Sequence, residues 1–192
     1  MKKGKIILLN GVSSAGKTTL AKEIQRQSET PFYHICCDSF MDMTPEHILR
    51  RGFDKQLAIT QGIMHETVRL FSDRGHCVVV DDVVLNLPEK NDWLYEYAVL
   101  LAQSPVLFVQ VDCPLPELIR RQTARGDRHP DQAQWQMAHR YTAIPYDLTV
   151  DTFVESTERC AERILVALRQ PNAGTALQSI RRQIEAARDI RG

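Results

Sequence analysis

Net charge is missing from this chain: across its 192 residues, 24 Lys and Arg are matched by 24 Asp and Glu. No overall field therefore draws it to nucleic acid or to an acidic membrane, and neither is expected as a partner. Long apolar runs are missing as well. Met1-Lys-Lys-Gly-Lys5 followed by Ile6 to Leu9 mimics the start of a signal peptide, but Asn10 and Gly11 end the run well short of one. No other stretch approaches the roughly 18 apolar residues of a membrane span, so a soluble, cytoplasmic protein is expected. Cysteine is sparse and odd in number: Cys36, Cys37, Cys77, Cys113 and Cys160. No C-x-x-C or Cys/His pair has the spacing of a zinc site, and the histidines form no cluster. Buried free thiols in a reducing compartment explain the five best. Repeats and low-complexity segments are absent too. What remains is an ordinary globular composition, 43% hydrophobic and 25% charged, with enough length to bury a full core.

Five short apolar runs read as strands: Lys5 to Leu9, Tyr33 to Cys37, Cys77 to Asp81, Val106 to Asp112 and Leu148 to Asp151. They are apolar throughout and alternate with longer amphipathic segments, the signature of a parallel sheet with helices on both faces. The fold class is therefore α/β. Helices are expected over Lys17 to Gln27, over Lys55 to Asp73 ending at Gly75, from Pro114 and Pro116 to Arg125, and over Glu155 to Arg169 before Pro171. Residues 1–170 are expected to form the main domain, and 171–192 a hinge and a C-terminal amphipathic helix. In that helix Leu177, Ile180, Ile184 and Ala187 form a narrow apolar stripe. It either packs on its own domain or makes a homodimer contact.

Directly after the first strand comes Gly11, Val12, Ser13, Ser14, Ala15, Gly16, Lys17, Thr18, a full match to G-x-x-x-x-G-K-[ST]. Strand, glycine-rich loop and helix together form a phosphate cradle: converging N–H groups, the positive end of a helix dipole and a lysine. Lys17 is expected to reach the β- and γ-phosphates of ATP, Thr18 to coordinate Mg²⁺, and Thr19 to close the loop.

Ligands of α/β proteins sit at the carboxyl ends of the strands, and acids stand there. The third strand ends in Asp81-Asp82, either of which suits a Walker B role toward Mg²⁺. The second is followed by Asp38, placed to accept a proton from a substrate hydroxyl or, equally on position alone, to cap a helix. After the fourth strand, Arg120, Arg121, Arg125 and Arg128 flank a Gly-Asp turn. Arginines on such a turn can neutralise a migrating phosphoryl group, although Arg120 reads as a solvated helix end.

Together these residues resemble a known family, the chloramphenicol phosphotransferase-like P-loop kinases. The matching stretches are I-I-L-L-N-G-V-S-S-A-G-K-T at Ile6 to Thr18, C-D-S-F-M-D at Cys37 to Asp42, V-V-V-D-D-V at Val78 to Val83, T-A-R-G-D-R at Thr123 to Arg128, and Y-D-L-T-V-D-T at Tyr146 to Thr152. The resemblance implies a three-layer P-loop fold with sheet order 2-3-1-4-5. It also implies transfer of the ATP γ-phosphate to a small-molecule hydroxyl, with Asp38 as catalytic base. The spacing shared with shikimate-kinase-like enzymes implies that Arg121 meets adenine and Arg128 the phosphates, with Arg125 as a helper. Between Phe40 and Gln61 little matches the antibiotic enzyme, so the acceptor pocket is expected there, with Phe40, Met41, Met43, Phe53 and Trp93 as candidate walls. Alternative acceptors are a nucleoside, a sugar nucleotide or an RNA end. A rival class is a nucleotide-dependent switch, but the guanine signature N-K-x-D is absent.

Overall fold

A computed structural model describes residues 2–87, 92–126, 129, 131–171 and 173–189. The chain runs β1 (Ile6–Asn10), α1 (Lys17–Gln27), β2 (Phe32–Cys36), α2 (Cys37–Met41), α3 (Glu46–Asp73), β3 (Cys77–Asp82), α4 (Trp93–Leu100), β4 (Val106–Asp112), α5 (Leu115–Arg125), α6 (Gln132–Ala138), β5 (Leu148–Asp151), α7 (Thr157–Leu168) and α8 (Ala176–Asp189). The strands form one parallel sheet in the order β2-β3-β1-β4-β5, so the expected α/β class and strand order hold. β1 is buried at all five positions. Burial on both faces is why it reads as an unbroken apolar run.

Alternation along the strands divides the core in two. Ile7, Leu9, Val79, Leu107, Val109 and Val111 pack with α1, α5 and α7. Ile6, Leu8, Val78, Val80, Val106 and Phe108 pack with α3, α4 and α8. Among the described residues no helix is long and apolar enough to cross a membrane.

Several boundaries differ from the sequence reading, each for a local reason. Cys37 opens α2 instead of closing β2. The third helix begins at Glu46, nine residues before Lys55, and bends at Gly52, whose φ of −173° and ψ of 65° leave helical geometry. Helix α4 is apolar over most of its eight residues, so no amphipathic period announced it. Helix α6 is only seven residues long, too short for a periodic signal. Helix α7 starts at Thr157 because the Ser156 hydroxyl accepts from Arg159 N as its N-cap.

The last helix folds back on the sheet: Ala176, Leu177 and Ile180 are buried in the second core, against α4 and β4. Asp147 arranges this. Its Oδ2 accepts from Phe108 N at 2.8 Å, while Oδ1 accepts from Thr175 N and Ala176 N at 2.8 and 2.9 Å. A carboxylate from the approach to β5 thus caps the positive end of α8. At the other end Arg188 reaches Asp92 at 2.6 Å and lies 3.7 Å over the Tyr95 ring. The turn into α8 passes through Gly174 at φ 89°, where a Cβ would lie 1.8 Å from Val106 O. Gly174→Ala is therefore expected to cost about 2 kcal/mol and to lower the Tm by roughly 4–8 °C in thermal unfolding.

Candidate active site

β1 delivers the loop Gly11 to Thr18 to the carboxyl edge of the sheet. Two residues in it take left-handed backbone, Ser14 at φ 65° and Gly16 at φ 90°, and these turn the chain so that its N–H groups converge. Ser14 Oγ is buried without a hydrogen-bond partner among the described residues. Lys17, the first residue of α1, is buried; its Nζ donates to Val12 O at 3.1 Å and lies 3.7 Å from Asp81 Oδ1. Burial lowers its pKa, against the pull of Asp81, Asp82 and Asp38. Thr18 and Thr19 stand exposed at the start of α1. The Thr18 hydroxyl donates to Asp81 Oδ2 at 2.5 Å.

The two adjacent acids part company, because successive strand residues face opposite sides of the sheet. Asp81 faces α1, with Thr18, Lys17 and His34 around it. Burial opposes its charge, but His34, Lys17 and Thr18 outweigh that and hold its pKa below the ordinary carboxylate value. Asp82, the other expected metal residue, is not brought to the loop. It lies in the second core, where Gln61 Nε2 donates to both its oxygens at 2.8 and 2.7 Å, Tyr97 OH donates at 2.8 Å, and Val83 N donates at 2.7 Å. His65 Nε2 is 3.6 Å from it, with the opposite ring nitrogen 3.0 Å from Glu96. This carboxylate ties α3 and α4 to the end of β3 and has little left to offer a metal.

Asp38 sits exposed in the first turn of α2. The capping alternative fails for it, since Cys36 holds the N-cap position and no side chain caps there. Cys36 pairs with Asp81 across β2 and β3, which brings Asp38 to the same edge as the loop. Of the candidate walls, Met41 is core and accepts from Thr60 at 2.9 Å, while Phe40 and Trp93 are half-buried against the second core. Met43 and Phe53 are exposed, at 68% and 56%. Cys37 is no nucleophile: burial, with nearby carboxylates, pushes its thiol up to about 12.

Arg121 lies against the loop, its Nη1 3.6 Å from where a Gly16 Cβ would stand and 3.0 Å from Thr152 Oγ1. Glu117 accepts from it at 2.7 Å. Hydrogen bonds from Arg120 and Arg121 hold the Glu117 carboxyl at about 2, so this clamp keeps its charge. Arg125 ends α5 on the exposed surface. Arg128 lies outside the described residues.

Further contributors were not singled out as site residues in the sequence. Thr152 Oγ1 donates to Ala15 O at 2.8 Å, bracing the loop from the end of β5. Gln136 Oε1 accepts from Ser13 N at 2.6 Å, and Gln132 Nε2 donates to Ser13 Oγ at 3.3 Å, so α6 sits on the loop. Arg140 pairs with Asp112 at 3.0 Å and, with Tyr141 and Tyr146, lines a water-sized cavity of about 20 Å³ beside Gly11 and Val12. His34, near Asp81, is another. Thr152 closes a motif the sequence displays, and only its contact was hidden.

Residues 4–169 match the family described as chloramphenicol phosphotransferase-like protein. The chain belongs to that family. A provisionally named O-phosphotransferase of Mycobacterium tuberculosis strain H37Rv is 27% identical over 188 residues, covering 85% of this chain and 82% of its own. Solved structures share the fold, two kinases among them. One is the M. tuberculosis APS kinase CysC in complex with AMPPNP and APS, with TM-score 0.64, 18% identity, and 88% of this chain and 100% of that one covered. The other is a gluconokinase from Sinorhizobium meliloti 1021, with TM-score 0.61, 17% identity, and 87% and 92% covered. Family and fold make the protein a phosphotransferase of the P-loop kinase class.

The loop suits a nucleoside triphosphate: it combines left-handed turns, a buried ammonium and a Ser14 hydroxyl with no partner among the described residues. Thr18 and Asp81 supply hard oxygen donors of the kind Mg²⁺ takes. Lys17→Ala should weaken ATP binding by at least about 10²-fold in calorimetry, with the fold retained by circular dichroism. The Asp82 cluster makes a separate claim. His65 titrates above its ordinary 6.5: burial lowers the value, but the Asp82 and Glu96 carboxylates more than offset it. A raised value stabilises fully below the unfolded pKa and fades as pH rises through the folded one. The Tm gap between wild type and His65→Asn should therefore be wider below pH 6.5 and narrow as pH rises beyond that value.

Proposed function

We propose that the protein transfers the γ-phosphoryl group of ATP to a hydroxyl of a small molecule. The observation that carries this reading is the meeting of Thr18, Lys17 and Asp81 at one carboxylate, with Asp38 on the next strand end along the same edge. One part would hold a nucleotide and its metal; the other stands where an acceptor would enter. ATP would supply the transferable group, and Mg²⁺ would neutralise charge between its phosphates.

The chain's own residues do the rest. Lys17 and the loop N–H groups hold the phosphates, and their positive ends fall where negative charge builds during transfer. Thr18 and Asp81 hold the metal. Asp38 takes the proton of the acceptor hydroxyl as its oxygen bonds to phosphorus and the bond to the leaving ADP oxygen breaks. Arg121, braced by Glu117 and Thr152, would meet the adenine, and Arg128, with Arg125 as a helper, would neutralise charge on the migrating group. Exposed Met43 and Phe53 offer an apolar wall on the acceptor side. Among candidate acceptors, chloramphenicol is the first compound to try, because the family takes its description from that reaction.

Asp38→Asn should lower transfer by about 10²–10⁴-fold while ATP affinity stays within twofold. Phosphorus NMR of wild type and variant, incubated with Mg-ATP and a panel of hydroxylated compounds, would show a phosphoester with wild type alone. Equal phosphoester formation by the variant would remove Asp38 from the chemistry, and hydrolysis of ATP with no phosphoester from any alcohol would count against a kinase.

A further inference from the structure

β2 places a histidine where its pattern calls for an apolar residue. Phe32, His34 and Cys36 share one face of the strand by the two-residue period, and Phe32 is buried there in the first core. The His34 side chain is only 16% exposed, and its Nε2 is buried with no hydrogen-bond partner among the described residues. Native interiors avoid that condition. The register of β2 on β3 sets His34 opposite Val79 and Cys36 opposite Asp81, so ring and carboxylate are diagonal neighbours on the same side of the sheet. Nε2 faces Asp81 Oδ2 at 3.8 Å, just beyond hydrogen-bond length.

The two oxygens of Asp81 are not equivalent. Oδ2 accepts from Thr18 at 2.5 Å and has a second lone pair on offer. Oδ1 faces Lys17 at 3.7 Å. A carboxylate held through one oxygen by one hydroxyl can still swing about its own axis. A second donor on the same oxygen stops that motion.

We propose that His34 is a positioning residue for the Asp81 carboxylate, its ring donating from Nε2 to Oδ2 so that Oδ1 is the oxygen presented to the metal, given the role of Asp81 toward Mg²⁺ proposed for this site. The contact closes from 3.8 Å when nucleotide and metal are bound, and the orphaned ring nitrogen gains its partner in the same movement. The effect of His34 reaches the reaction only through the orientation of Asp81, and removing an outer partner of this kind typically lowers metal affinity about 10–100-fold.

The test is Mn²⁺ binding to the full chain with a non-hydrolysable ATP analogue, followed by electron paramagnetic resonance, in wild type, Asp81→Asn, His34→Leu, His34→Asn and His34→Gln. The expected result is Mn²⁺ affinity lowered about tenfold or more in His34→Leu, with the analogue's affinity in EDTA unchanged. His34→Asn, whose shorter donor falls short of Oδ2, should behave like His34→Leu and serves in its place if the leucine variant does not fold. His34→Gln, whose Nε2 reaches the same point as the ring nitrogen, should restore binding. Wild-type Mn²⁺ affinity in His34→Leu and His34→Asn, alongside weakened binding in Asp81→Asn, overturns the proposal. Wild-type affinity in Asp81→Asn overturns the metal assignment beneath it. A ¹⁴N coupling from directly bound imidazole in the wild-type pulsed spectrum, lost in His34→Leu, also overturns it by making His34 a ligand.

Discussion

Thr18 and Asp81 are 63 residues apart in the chain and 2.5 Å apart in space. Much of the site depends on that contact. It exists because β1 and β3 lie side by side in parallel, with Leu9 opposite Asp81, so the loop leaving β1 and the acid ending β3 emerge at the same height. A one-residue slip of this register would turn Asp81 to the other face. Apolar burial on both sides of the sheet is what forbids the slip, since Ile7 and Val79 pack with one helical layer and Leu8 and Val80 with the other. The hydrophobic core and the phosphate site are thus one constraint seen from two ends.

The same alternation gives two adjacent acids different work. Asp81 keeps a polar, cation-rich setting with Lys17 and Thr18, whereas Asp82 is saturated by donors from α3 and α4. A buried carboxylate without partners would be too costly to keep ionised. Four hydrogen bonds from three donors, with the His65 ring beside them, make it a knot that fixes α3 and α4 against β3. Since α2, the connection after it and α3 carry Asp38, Met43 and Phe53, the knot sets the base of the side proposed for the acceptor.

Stiffness is distributed unevenly around the site. The nucleotide side is braced from several directions: Thr152 supports Ala15, Gln136 supports Ser13, and Glu117 holds Arg121 against the loop. The side proposed for the acceptor rests on a short helix and on a long one bent at Gly52, with apolar side chains open to solvent. A shared reaction with varied acceptors suits such an arrangement, because phosphate chemistry is common to the fold while the acceptor wall can change without disturbing the loop.

The loop from Gly11 to Thr18, the five strands and the α/β class are legible in the sequence because they rest on local rules: glycine spacing, unbroken apolar runs and breakers. Asp38 and the pair Asp81-Asp82 could be singled out because acids at strand ends are conspicuous. Helix α4 was not legible, since an apolar segment carries no period, nor was the start of α3 from Glu46 to Asp54, where polar residues dominate around the bend. The sequence by itself determined which residues could bind phosphate and that they follow the first strand. Only the tertiary structure decided that Asp81 and not Asp82 meets Thr18, that Gln136 and Thr152 brace the loop, and that His34 lies beneath the carboxylate. Those facts depend on register and on which face a side chain takes, and both are set by packing between segments far apart in the chain.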